Sequence, residues 1–161
     1  MVETVTKHFK DSNEFFKIKA KVLGLPKLTM AELGTSMSKS RRKYTLEEGV
    51  MMVKDAFGAI KPELAETFMN FIKNGQIDFL PKAGKNNGAF CSSALGVPTY
   101  IMLNHIDNAS SISTLAHEMG HAFHSEYSKH QIPLYTDYTI SIAEVASTFF
   151  ENVLFDYLYA R

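Results

Sequence analysis

The chain has 161 residues, which suits one domain with a buried core, and apolar and charged fractions of 45% and 21% are ordinary for a globular protein. Lys plus Arg and Asp plus Glu balance at 17 each, so the charge gives no reason to expect nucleic acid or a membrane surface as a partner. One cysteine excludes an internal disulfide, and no apolar run is long enough to span a bilayer.

The first 75 residues carry helical patterns. Residues 3–23 have apolar side chains at roughly helical spacing, and Gly24 predicts the end of that helix. The segment lacks the apolar region of a signal peptide, which together with the lone cysteine predicts a cytoplasmic protein. Residues 34–43 are polar and basic, typical of a solvated loop, with a basic docking patch as the alternative.

Two more helices are predicted before residue 75. Thr45 and Glu48 have the spacing of a capping box before a helix over 46–60. Pro62 suits the first turn of the next helix, which Gly75 ends. The apolar positions predicted to face the core are Val50, Val53, Phe57 and Ile60 in the first helix, and Leu64, Phe68, Phe71 and Ile72 in the second.

Short apolar runs at 77–80, 88–93 and 99–104, separated by Gly and Pro, predict three strands. The fold class is therefore mainly α, with a small antiparallel β-sheet preceding a helix predicted over 112–128. We expect a single domain over 1–161, with 1–75 helical, 76–105 forming the sheet and 106–161 forming two helices that carry a metal site.

The stretch His117-Glu118-Met119-Gly120-His121 lies in a predicted helix over 112–128 and has the HExxH form. It places two imidazoles one turn apart on one face, with a carboxylate at its edge. That arrangement is typical of two ligands to one Zn²⁺ and a general base for a zinc-activated water. The alternative is a chance match in a helix that binds no metal.

A catalytic zinc needs a third protein ligand. The metzincin extension is excluded, because His124 and Tyr127 stand where it requires glycine and histidine. Glu144, on a last helix that begins near 138–141 and still runs at Arg161, is the candidate. Its alternative role is to cap that helix, since Ser141 and Glu144 also have capping-box spacing.

Two further polar residues keep several interpretations. Three roles are open for His124: a metal ligand, a residue that supports the site or faces substrate, or an ordinary helix histidine. Two roles are open for Glu151: it is a solvated charge, or it orients a ligand histidine by accepting a hydrogen bond from the second N–H of that histidine. An extended peptide is expected to pair with the edge of the predicted sheet, where the candidate substrate-binding residues are Ala89, Phe90, Cys91 and Ser92.

The motifs resemble the oligoendopeptidase F and thimet oligopeptidase family of zinc peptidases. The segments that carry the resemblance are STLAHEMGHAFHSEYS (113–128), AEVASTFFEN (143–152), GKNNGAFCSS (84–93) and YIMLN (100–104). The resemblance implies a zincin-like helical fold, one Zn²⁺ bound by His117, His121 and Glu144, and Glu118 as the catalytic carboxylate. It also implies Glu151 and His124 beside the ligands, and short peptides as substrates.

The chain departs from this family in length. Family members are several times longer and have a C-terminal portion with His and Tyr residues that stabilise the oxyanion. We therefore expect either a zinc metalloendopeptidase core that cleaves oligopeptides, or a truncated zinc-binding fragment or peptide- or partner-binding module with little or no turnover. The expected partners are short peptide substrates, together with either a second copy of the chain or the remainder of a longer parent chain. Neither nucleic acid nor a membrane is expected as a partner.

Overall fold

The computed structural model describes residues 2–37 and 42–160. The sequence predicts one domain, whereas contacts divide the chain into two compact units, Met1–Arg41 and Arg42–Arg161. The shared hydrophobic core of the helices and the sheet contains residues from Tyr44 onward only. Residues 38–41 of the predicted connection, and Arg161, lie outside the described residues.

The first unit contains two helices, α1 (Val2–Lys7) and α2 (Phe9–Leu23), where the sequence predicts one. The chain turns at His8 before α2 begins. Gly24 ends α2 as predicted, with a left-handed φ of 70° and its N–H directed to the carbonyls of Ala20 and Lys21. Only Lys19 and Ala20 of α2 are buried, so the predicted apolar stripe lies exposed.

The second unit begins with the helix pair α3 (Leu46–Ile60) and α4 (Pro62–Lys73). The predicted capping box is present: the Thr45 hydroxyl accepts the Glu48 N–H, and the Glu48 carboxylate accepts the Thr45 N–H. Pro62 is at the first turn of α4 as predicted. Ile60 is 47% exposed, contrary to its predicted inward position, because it is the last residue of α3.

Three short strands form the sheet: β1 (Ile77–Asp78), β2 (Phe90–Ser92) and β3 (Tyr100–Met102). The order is β1-β3-β2, so β2 lies at an edge. β2 pairs antiparallel with β3 as predicted, but β1 pairs parallel with it, so the sheet is mixed. The 21 residues between β1 and β3, which include β2, allow the chain to return and lay β3 parallel to β1.

Two long helices complete the unit: α5 (Ala109–Ser128) and α6 (Ile140–Tyr159), joined by a loop with a short 3₁₀ turn at Pro133–Tyr135. Phe57 of α3 lies at the centre of the core, with edge-to-face contacts to Phe68, Phe123 and Phe150. This cluster fixes α5 and α6 against the same support, and it thereby sets the position of the polar face between them. Within the described ranges, no helix is long and apolar enough to cross a membrane.

Candidate metal centre

Helix α5 presents the HExxH histidines on its polar face. Asn108 caps it by accepting the Ser111 N–H, and its opposite face is buried through Leu115, Ala116, Met119, Ala122 and Phe123. The His117 and His121 rings lie 5.0 Å apart and nearly perpendicular, and both are half-buried. Burial of one face therefore directs both imidazoles to the other, where α6 runs.

Helix α6 brings Glu144 to these histidines. Its Oε2 lies 3.4 Å from His117 Nε2 and 3.8 Å from His121 Nε2, and one ligand atom from each of the three residues lies within 4.8 Å of the others. The buried Ser147 hydroxyl donates to the same Oε2 at 2.8 Å. The capping alternative is wrong, because α6 already begins at Ile140 and Ser141 lies inside it.

The two helices cross closely at Gly120, the fourth residue of the motif. A Cβ at this position would lie 2.7 Å from the Ala146 carbonyl oxygen and 2.7 Å from Ser147 Cα. Such distances are far below van der Waals contact, and the atoms concerned are backbone. Glycine therefore lets α6 approach near enough for Glu144 to reach the histidines.

Glu151, two turns after Glu144, lies beside the other nitrogen of His117. Its Oε2 is 3.3 Å from His117 Nδ1, and its Oε1 accepts a hydrogen bond from the Ser113 hydroxyl at 2.7 Å. A carboxylate that accepts a hydrogen bond from Nδ1 keeps the ring proton on that nitrogen. The other nitrogen, Nε2, which is nearest Glu144, is then free to bind a metal. The geometry favours the orienting role of Glu151 over a solvated charge.

Glu118 lies at the edge of the same cluster and is 6% exposed. Burial raises the pKa of its carboxyl, the nearby Glu144 raises it further, and His117 opposes both effects. Its Oε2 is buried, and residues 2–37 and 42–160 supply it with no hydrogen-bond partner. A buried carboxylate oxygen without a partner is costly, so this atom is expected to have a partner that the protein chain does not provide.

The donor set suits a metal ion such as Zn²⁺. Two imidazoles and one carboxylate are its common ligands, and they converge here from two helices. Burial lowers the pKa of His121, which favours the neutral imidazole that a metal requires. The unpartnered Glu118 oxygen lies beside the cluster. The residues present therefore fit the ion that the motif predicts.

A cleft of about 400 Å³ opens over this cluster. Of the four residues predicted to bind substrate, Ala89, Phe90 and Cys91 line it, whereas Ser92 does not. Alternation along β2 places Ser92 on the face opposite Cys91, whereas Phe90, on the same face as Ser92, lines the cleft from the beginning of the strand. Burial, with further contributions from Glu118 and Glu126, raises the pKa of the Cys91 thiol to about 12.

His124 does not line the cleft. Its ring stacks on Tyr138 at 4.0 Å, and its Nδ1 is buried with no hydrogen-bond partner in the described part of the chain. Tyr138 itself lines the cleft, together with Ser93 and Ser125. Ser93 ends the run over 88–93 that predicts the strand, whereas Tyr138 and Ser125 are missing from the sequence-based set. No periodicity or motif marks them, because they meet only when the loop before α6 folds back onto β2 and α5.

The sequence pattern that defines peptidase family M3 matches residues 8–161 of this chain. The chain belongs to peptidase family M3. The family assignment agrees with the resemblance that the HExxH helix and the following acidic helix indicate.

Curated relatives in this family are much longer than the chain. Oligopeptidase PepF of Bacillus subtilis is 35% identical over 160 residues, which are 98% of this chain and 24% of the relative. Group B oligopeptidase PepB of Streptococcus agalactiae is 30% identical over 96% of this chain and 26% of its own length. This M3 chain thus spans about a quarter of the length of the curated relatives that it matches.

Solved structures share its fold. A Bacillus anthracis protein described as an oligoendopeptidase F superposes with a TM-score of 0.81 at 23% identity, over 92% of this chain and 28% of that one. PZ peptidase A, solved with an inhibitor, superposes with a TM-score of 0.76 at 23% identity, over 90% of this chain and 26% of that one. These similarities confirm the mainly helical fold with its small sheet.

Proposed function

We propose that this M3 chain is the core of a zinc metalloendopeptidase that hydrolyses peptide bonds in short oligopeptides. One observation carries the proposal: His117, His121 and Glu144 converge at a cleft in which the buried Glu118 Oε2 has no protein partner among the described residues. Membership of a peptidase family supports the reaction class. The names of the relatives, oligopeptidases, support short peptides as substrates.

We assign the metal to His117, His121 and Glu144, with Glu151 and Ser147 holding two of these ligands in place. Zinc bound there would supply a Lewis acid that polarises a carbonyl group and lowers the pKa of a water molecule. Glu151 fixes the His117 ring by accepting from Nδ1, and Ser147 fixes the Glu144 carboxylate by donating to Oε2.

Glu118 is the proposed general base. Its Oε2 would accept a proton from the attacking water and then donate that proton to the amine of the leaving peptide. The position supports this role, because Glu118 lines the cleft beside the ligands and its Oε2 is not held by another residue of the described chain.

The substrate is proposed to lie along β2. This strand is at the edge of the sheet, and Phe90 and Cys91 line the cleft with Ala89 before them. An extended peptide pairing with β2 would receive backbone hydrogen bonds, which hold the main chain without selecting side chains. Such pairing would place a peptide carbonyl over the metal ligands.

A second candidate function is zinc and peptide binding with little or no turnover. It is favoured by the hydroxyls that line the cleft, since Ser93 donates to Ser125, and Ser125 pairs with Tyr138. The developing negative charge on a scissile carbonyl needs donors aimed at it, and the two hydrogen bonds among these three hydroxyls leave a single O–H for that role.

One experiment separates the two functions. We expect the full chain to cleave a quenched fluorescent oligopeptide, the cleavage to stop with a chelator, and Glu118→Gln to abolish it while keeping zinc. Glu63→Gln, an exposed glutamate of α4, is the matched control. Zinc-loaded wild type with no more cleavage than Glu118→Gln would reject the enzyme. Equal zinc content in wild type and His117→Ala would reject the metal site itself.

A further inference from the structure

A second pocket opens beside the metal cleft, beyond the end of β2. It has a volume of about 310 Å³ and lies between residues 93–95, the end of α5 and the loop before α6. Its wall is polar, with hydroxyls from Ser93, Ser125, Ser128, Thr136 and Tyr138. The candidate metal site uses neither of the charged side chains that line this pocket.

The pocket and the metal cleft are adjacent and share three lining residues. Ser93, Ser125 and Tyr138 line both, and they are linked by hydrogen bonds of 3.0 Å and 3.1 Å that run through the Ser125 hydroxyl. Tyr138 is held further by its stack on His124. These three side chains therefore form a shared wall, and the pocket lies directly beyond it from the metal cleft.

The pocket contains one acidic and one basic side chain, and only the acidic one is available. Lys129 Nζ donates to Val97 O at 3.1 Å, Thr99 Oγ1 at 3.0 Å and Glu126 Oε1 at 2.7 Å, which uses its three donors. Asp137 is exposed, accepts only the Tyr138 N–H, and forms no ion pair with any described residue. The pocket thus offers an unneutralised carboxylate.

The direction of β2 relates the pocket to a bound peptide. Residues 89–91 line the metal cleft and residues 93–95 line the pocket. A strand rises about 3.3 Å per residue, so a peptide paired with β2 would reach the pocket about three residues from the cleft centre. A side chain at that distance from the scissile bond would meet the Asp137 carboxylate in the pocket.

We propose that this pocket is a subsite for the Lys or Arg side chain of a peptide bound in the metal cleft, and that Asp137 selects that side chain. The inference rests on the peptide-binding role proposed above. It adds a preference for a basic residue about three positions from the cleaved bond. It assigns to the loop before α6 a role in substrate choice rather than in the reaction.

The test measures peptide binding, so it does not depend on turnover. Fluorescence anisotropy of Glu118→Gln protein would be recorded with hexapeptides that carry a neutral dye and differ at one position, occupied by Lys, Arg, norleucine or Glu. The varied position is moved along the peptide on both sides of the central bond. Asp137→Asn keeps the oxygen that accepts the Tyr138 N–H, and Asp156→Asn on α6 is the control of equal charge change.

We expect Lys and Arg peptides to bind about three- to fivefold more tightly than norleucine at one position, as for an exposed ion pair, with Glu weakest. Asp137→Asn should remove this preference, Asp156→Asn should keep it, and Asp137→Lys should make Glu the best ligand. Equal affinities for the four peptides, no binding by any of them, or equal effects of Asp137→Asn and Asp156→Asn would overturn the proposal. Loss of hydrolysis with the charge preference intact would instead count against the proposed enzyme alone.

Discussion

Replacing Gly120 by alanine tests the closest contact between α5 and α6. The added Cβ would meet the Ala146 carbonyl oxygen and Ser147 Cα at 2.7 Å, so α6 would have to move by about 0.7 Å to reach ordinary contact. Alanine in a helix gains about 1 kcal/mol over glycine, whereas overpacking costs about 1–3 kcal/mol or more against rigid backbone. We expect Gly120→Ala to lower the free energy of unfolding by about 2 kcal/mol.

The displaced helix carries Glu144, so zinc affinity should fall as well, by about tenfold. Urea unfolding followed by circular dichroism gives the free energy, and competition with a chromogenic chelator gives the affinity. Gly58→Ala in α3 is the matched control, because its Cβ would meet only the Ala65 Cβ, at 3.4 Å, and should stabilise the chain. If Gly120→Ala unfolded at or above the wild-type free energy with unchanged zinc affinity, the close crossing would not limit the site.

Three further predictions concern groups around the cleft. Glu151→Gln should weaken zinc binding about tenfold, because a neutral amide orients His117 less firmly than a carboxylate, and chelator competition measures it. In chelator-treated protein the Cys91 thiol, with a pKa of about 12, should react with iodoacetamide about a thousandfold more slowly than in urea, because little thiolate forms. Burial alone would raise the pKa of Glu126, but hydrogen bonds from Lys129 and Thr99 outweigh it and lower that pKa. Glu126 should therefore stabilise metal-free protein above its unfolded-state pKa of about 4.3, and urea unfolding should show that this stabilisation is lost as the pH falls through the folded pKa.

Each of these three predictions has a control within the chain. Glu47→Gln, an exposed acid of α3, should leave zinc affinity unchanged, and an equal loss in both variants would remove the special role of Glu151. The chain has one cysteine, so equal alkylation rates in native and unfolded protein would contradict the buried thiol. The free-energy difference between wild type and Glu126→Gln should shrink toward acid pH; a difference that stays constant would mean that the carboxylate charge is irrelevant.

The sequence predicted those parts of the fold that depend on neighbours in the chain. The capping box at Thr45, the proline at Pro62 and the glycine end of α2 are local, and all are as predicted. The parallel pairing of β1 with β3 was not predicted, because strand direction depends on the path of the 21 residues between them. The break at His8 also carries no marked signal, since neither glycine nor proline precedes it.

The same distinction holds at the candidate site. The two histidines were predictable because residues four apart share one face of a helix. Glu144 also had a capping alternative in the sequence, and the family resemblance favoured it as the third ligand; the structure brings the three residues together. Tyr138 and Ser125 were missed, because their meeting depends on how the loop before α6 folds against α5. Likewise, only the structure shows that Ser147 is fully buried and donates to Glu144.

The two carboxylates of α6 are seven residues apart, and both engage α5: Glu144 at the histidine Nε2 atoms and Glu151 at His117 Nδ1 and Ser113. Together they fix the rotation and the axial position of α6. A slip by one residue would turn the helix by about 100° and remove both carboxylates from α5 at once. An insertion between Glu144 and Glu151 should therefore separate the proposed metal ligand from the group that supports it.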